Sequence, residues 1–206
     1  MADCCNDKAC EIEALRTRQS STLKIVLGIN AVMFVVELTA GLLASSVSLV
    51  ADSLDMLGDA LVYGFSLYVV ARGAKMKANS ALLKGVIMAA FGLFVLGQAI
   101  YKIIVPQVPV FEAIGAIGLL ALAANSLCLA LLWRHRADDI NMSSVWLCSR
   151  NDIIANVSVL FTALGVWLTG SGWPDILVGL ALAALFLRSA LFVLRRAITE
   201  LRTINA

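Results

Sequence analysis

The chain has 206 residues, of which 61% are hydrophobic and 15% charged, against roughly 45–50% and about 25% in an ordinary soluble domain. A globule this short cannot bury so much apolar surface in one core, which excludes a water-soluble fold and leaves lipid as the solvent. A formal net charge of +2 gives no footprint for a nucleic-acid partner.

Residues 1–20 are polar and charged and hold Cys4, Cys5 and Cys10, with no basic and apolar run of signal-peptide form. They are expected as a cytosolic tail. Five cysteines without a spacing framework argue against structural disulfides, so the thiols are expected reduced. A spanning helix needs about 20 mainly apolar residues, and six stretches qualify, at about 23–44, 47–71, 81–105, 110–133, 140–169 and 176–194. Asn30 and Glu37 share one face of the first. Only Ser45 and Ser46 separate it from the second, which requires a tight hairpin. Pro106 and Pro109 bracket the turn after the third helix, the fourth carries Asn125 and Cys128, and Gly170, Gly172 and Pro174 mark the turn before the sixth.

Basic residues fix the expected orientation. Lys8, Arg16, Arg18 and Lys24 precede the first helix; Arg72, Lys75, Lys77 and Lys84 cluster at the second connection; Arg134 and Arg136 fall in the fourth; Arg195, Arg196 and Arg202 follow the sixth. The first and fifth connections have none, and the third has only nearby Lys102. The positive-inside rule then places both termini in the cytoplasm. The expected protein is all-α and polytopic, a six-helix transport domain at 21–196 in the plasma (inner) membrane with a short cytosolic tail at 197–206. No soluble domain fits into the residues after the last helix.

The ionisable side chains within these spans carry the chemistry. Asp52, Asp55 and Asp59 all lie in the second helix. Each acid at mid-membrane costs about 2.5–3.5 kcal/mol, or on the order of 8–10 kcal/mol for three, so they need a shared polar destination. At 100° per residue the three fall within about 60° of one another, as one acidic stripe. Pairing with Arg150, Arg188 or polar neighbours is one explanation; a bound cation is the other, since like charges repel unless a cation sits among them. On the fifth helix Cys148, Asp152 and Asn156 recur every four residues on one face, with Arg150 on the far side. Two aspartates of the second helix with Cys148 and Asp152 make four ligands, a set that suits tetrahedral Zn²⁺ or a softer ion such as Cd²⁺.

The stretch from Ser46 through Asp52 and Asp55 to Asp59 resembles the second helix of the cation diffusion facilitators, the family that includes zinc transporters. That helix carries an H/D-x-x-x-D pair, matched by Asp55 and Asp59, and the fifth helix carries H-x-x-x-D, matched by Cys148 and Asp152 and followed by Asn156. The resemblance spans about residues 20–200. It implies a metal site of Asp55, Asp59, Cys148 and Asp152, and export as the direction. There are three departures. Cys148 stands where the family usually has His, the family's usual C-terminal cytosolic domain is not expected in the residues after the sixth helix, and the fourth connection has His135 in place of a His-rich loop.

The resulting expectation is a secondary transporter, not an enzyme, that exports Zn²⁺, or Cd²⁺ or Co²⁺, in exchange for protons. The metal is its substrate and no cofactor is expected; no Walker motif points to ATP. Expected partners are the metal ion, protons, the bilayer and a second copy in a homodimer. Two rivals remain open at this stage: a proton-coupled exporter of organic cations, and a non-transporting membrane protein that holds a structural metal. Asn30, Glu37, Asn125 and Cys128 fit interhelical packing as well as an ion path, and Cys4, Cys5 and Cys10 fit either metal capture or a tail without function.

Overall fold

The computed structural model describes residues 3–69, 74–133 and 140–205, with some side chains inside the helices left out. It contains six helices: α1 (Asp3–Leu43), α2 (Val47–Val69), α3 (Ala74–Ile104), α4 (Phe111–Trp133), α5 (Ile140–Thr169) and α6 (Trp173–Asn205). There is no strand among the described residues. Each helix covers one expected apolar run, but α1, α3 and α6 continue past it. An apolar window marks only the part that suits lipid. Residues such as Glu11, Glu13, Ala14 and Arg16 are good helix formers and extend α1 into its polar segment.

Among the described residues, five stretches are long and apolar enough to cross a membrane: Lys24–Leu43, Ala81–Ile104, Phe111–Trp133, Asp152–Thr169 and Trp173–Thr203. The 23-residue α2 is long enough, but every 18-residue window of it contains Asp52, Asp55 and Asp59. Its position explains how it tolerates them. α2 packs against α1, α3, α5 and α6, and every residue from Ser46 to Leu54 is buried. Protein, not lipid, surrounds its polar half, which is the condition under which intramembrane acids persist.

The packing is graded from this centre. Val47, Val50, Ala51 and Leu54 meet Val95 and Ala99 of α3 and Ala183 of α6. Leu49 meets Ile114 of α4 and Val159 and Ala163 of α5, while Met56 joins Met33 of α1 and Ala121 of α4. The large apolar side chains of the periphery point outward, among them Val32, Leu93, Phe161, Leu177 and Phe192. This arrangement suits lipid contact. Trp133, Trp167 and Trp173 are exposed at or near helix ends, where indoles favour the membrane interface.

The end of the bundle where α1 turns into α2 is closely tied. Ser45 adopts φ 54° in the turn. Asp175, in the first turn of α6, accepts hydrogen bonds from Ser46 Oγ (2.6 Å), Val47 N (2.7 Å), Ser48 N (3.1 Å) and Ser48 Oγ (2.7 Å). A carboxylate from another helix thus caps the free N–H groups at the start of α2 and meets the positive end of its dipole. Lys102 is buried at the same end, donates to Ser45 O and lies within electrostatic reach of Asp175. Two glycines allow the close approach. A Cβ at Gly41 would stand 2.9 Å from Val50 N, and one at Gly179 2.5 Å from Val47 Cγ1.

Candidate metal centre

The site is assembled by α2 and its neighbours. The 3.6-residue period places Asp52, Asp55 and Asp59 on successive turns of one face. Asp52 is 2% exposed, and Asp55 and Asp59 are half-buried. From α5 the same period brings in Asp152 and Asn156, both buried; α1 contributes buried Asn30 and Glu37, and α4 buried Asn125 and Cys128. The bundle interior therefore holds a column of polar groups inside a lipid-facing shell.

Two of these groups join the helices directly. The side chains of Asp55 and Asp152 share a hydrogen bond between α2 and α5. An ionised carboxylate only accepts, so two carboxyl groups share a hydrogen bond only when one carries a proton. Asp59, one turn along, lies within electrostatic reach of the Cys128 thiol of α4. That sulfur accepts a contact of 3.8 Å from Asn30 Nδ2, which also donates to Val26 O at 2.9 Å. Asn156 Nδ2 donates to Asp152 O at 2.8 Å. Both amides thereby leave their Oδ1 atoms buried without a hydrogen-bond partner, as are both carboxyl oxygens of Glu37 and Oδ2 of Asp52.

Of the four expected ligands, Asp55 and Asp152 are brought into contact and Asp59 is placed one turn from Asp55. Cys148 is carried by α5 one turn before Asp152, but its side chain lies outside the described residues, as do those of Cys4, Cys5, Cys10, Arg150 and His135. Among the described residues no three His, Cys, Asp or Glu side chains close on one point. The pairing of the stripe with Arg188 gains no support, because Arg188 is exposed on α6. Three relationships were beyond reach of the sequence: the Asp175 cap, the approach of Cys128 to Asp59, and the proximity of Glu37 to Asp52. Only Ser46 and Ser48 ahead of an apolar run hinted at a capped helix start.

Comparison with known proteins places this geometry in a family context. The cation efflux transmembrane domain matches residues 23–202. The cation efflux system protein CzcD of Alcaligenes sp. (strain CT14) is 24% identical over 192 residues, covering 87% of this chain and 61% of the relative. The zinc transporter ZitB of Escherichia coli (strain K12) is 24% identical over 188 residues, covering 84% and 60%. A cadmium, cobalt and zinc/H(+)-K(+) antiporter of Bacillus subtilis (strain 168) is 24% identical over 170 residues, covering 75% and 54%. The chain thus spans 54–61% of the length of these relatives.

Proposed function

Because the chain belongs to the cation efflux family, whose members are transporters and not enzymes, we propose that it carries a divalent transition-metal cation out of the cytoplasm in exchange for protons. Zn²⁺ is the expected cargo, with Cd²⁺ and Co²⁺ as close congeners. The membrane is the plasma membrane, both termini face the cytoplasm, and the α1–α2 hairpin end faces outward. The observation that carries this reading is the acidic stripe of a buried central helix, hydrogen-bonded across to Asp152 of α5. Asp55, Asp59, Asp152 and the thiol of Cys148 are the ligand set, four donors of the kind and number that Zn²⁺ takes. Carboxylates and thiolates bind metal only when deprotonated. An ion entering between Asp55 and Asp152 therefore displaces the proton they share, and a proton returning from outside displaces the ion. The cadmium, cobalt and zinc/H(+)-K(+) antiporter among the relatives supports the exchange.

Flux of Zn²⁺ into vesicles containing the purified chain tests the site. Asp55→Ala and Asp59→Ala abolish flux while leaving insertion and elution behaviour intact, because each removes a buried charge that the fold does not need. Wild-type flux in Asp59→Ala would dismiss the ligand set.

A further inference from the structure

Glu37 is 0% exposed and neither of its carboxyl oxygens has a hydrogen-bond partner. A buried carboxyl without a partner is costly and is kept only where something else compensates it. No described residue of α1 does so. Glu37 faces α2, within electrostatic reach first of Asp52 and then of Asp55, and Asp52 itself is 2% exposed with Oδ2 unpartnered. Lys102, the buried cation of the hairpin end, is already engaged by Ser45 O and Asp175.

The depths of these residues are ordered. At about 1.5 Å rise per residue, Glu37 lies about 9 Å from the end of α1 at Leu43, and Asp52 about 8 Å from the start of α2 at Val47. Asp55 and Asp59 lie deeper, about 12 and 18 Å from that start. Glu37 and Asp52 are thus level with each other, between the four-ligand set and the hairpin end. One turn further out, on the same face of α1, Gly41 borders a cavity of about 230 Å³ whose lining includes Ser46, Gln98, Gln107 and Lys102.

We propose that Glu37 and Asp52 form a second, outer station for a divalent cation, which takes the ion from Asp55 and Asp59 on its way toward the hairpin end. The station rests on the transport reading for its role, but not for its existence as a binding site. Two carboxylates from different helices do not make a closed cage, consistent with no three ligating side chains closing on one point among the described residues. They suit an ion that keeps part of its water, held loosely enough to leave.

Equilibrium binding of Cd²⁺ to the full chain in nanodiscs, paired with Zn²⁺ flux in vesicles, tests the station. The wild type shows a tight and a weak binding event. Glu37→Gln and Asp52→Asn each lose the weak event and keep the tight one, whereas Asp59→Ala loses the tight event and keeps the weak one. Flux falls about tenfold or more in Glu37→Gln and recovers in Glu37→Asp, which keeps the carboxylate. A single binding event in the wild type, or an unaltered weak event in both Glu37→Gln and Asp52→Asn, overturns the proposal. Were Asp59→Ala to keep the tight event, the four-ligand set would fall, while loss of the weak event in Glu37→Gln would still uphold the outer station.

Discussion

Cys148 stands where the resemblance leads one to expect His, and the physical chemistry of that exchange is specific. Thiolate is softer than imidazole and carries a negative charge where a neutral His carries none. Cys148→His is expected to keep Zn²⁺ transport and to lower the Cd²⁺-to-Zn²⁺ transport ratio by about tenfold, the size of effect typical of tuning a ligand shell. Cys148→Ser, a poorer ligand of similar size, weakens both. Parallel Zn²⁺ and Cd²⁺ uptake into vesicles measures this, and an unaltered ratio in Cys148→His and Cys148→Ala would remove the thiol from the site. At this scale the sequence was informative wherever a residue type was out of place in lipid. Asp52, Asp55, Asp59 and Asp152 stood out for that reason. Glu37 and Cys128 did not resolve, because their meaning depends on which helix faces them. The distance in sequence from Glu37 to Asp52 is short, but that from Cys128 to Asp59 is long, and neither contact follows from spacing alone.

The helices themselves follow from apolar length, which is why six were legible in chain order. Their ends were less so, since lipid thickness limits a span and not the helix that contains it. The arrangement of helices was not legible at all. That α2 is central follows from the burial of Ser46–Leu54 and its packing against four other helices, neither of which its composition reveals. The cap on α2 shows the same limit, because Asp175 lies 127–129 residues from the groups it accepts. Asp175→Ala would leave two backbone N–H groups and two hydroxyls without their acceptor, a loss of about 2–4 kcal/mol. It is expected to lower the midpoint of thermal unfolding in detergent, with Asp175→Asn falling between. An unchanged midpoint in Asp175→Ala would mean that the clasp contributes nothing to stability.

For the molecule as a whole, the proposed exchange makes a proton gradient the expected driving force. Metal binding requires the carboxyl groups to be ionised, so protons reaching the site from the outer side favour release there. Acidifying the compartment that receives the metal is expected to accelerate export several-fold, and collapsing the gradient to slow it. A pH dye in weak buffer should report protons released when Zn²⁺ is added to the wild type. Flux indifferent to pH from about 6 to 8 would rule out this coupling.

α2 leans heavily on α1, α3 and α6 and much more sparsely on α5, whose main partner is α4. The Asp55–Asp152 hydrogen bond crosses this sparse seam, and the ligand set crosses it too. The cargo is then also a fastener. While it is held, α2 and α5 would be tied across the sparsest of the contacts that α2 makes with its four neighbours. When a proton replaces it, the tie would shrink to the single hydrogen bond between Asp55 and Asp152. On the proposed transport reading, unloading the ion would therefore also loosen the seam between α2 and α5.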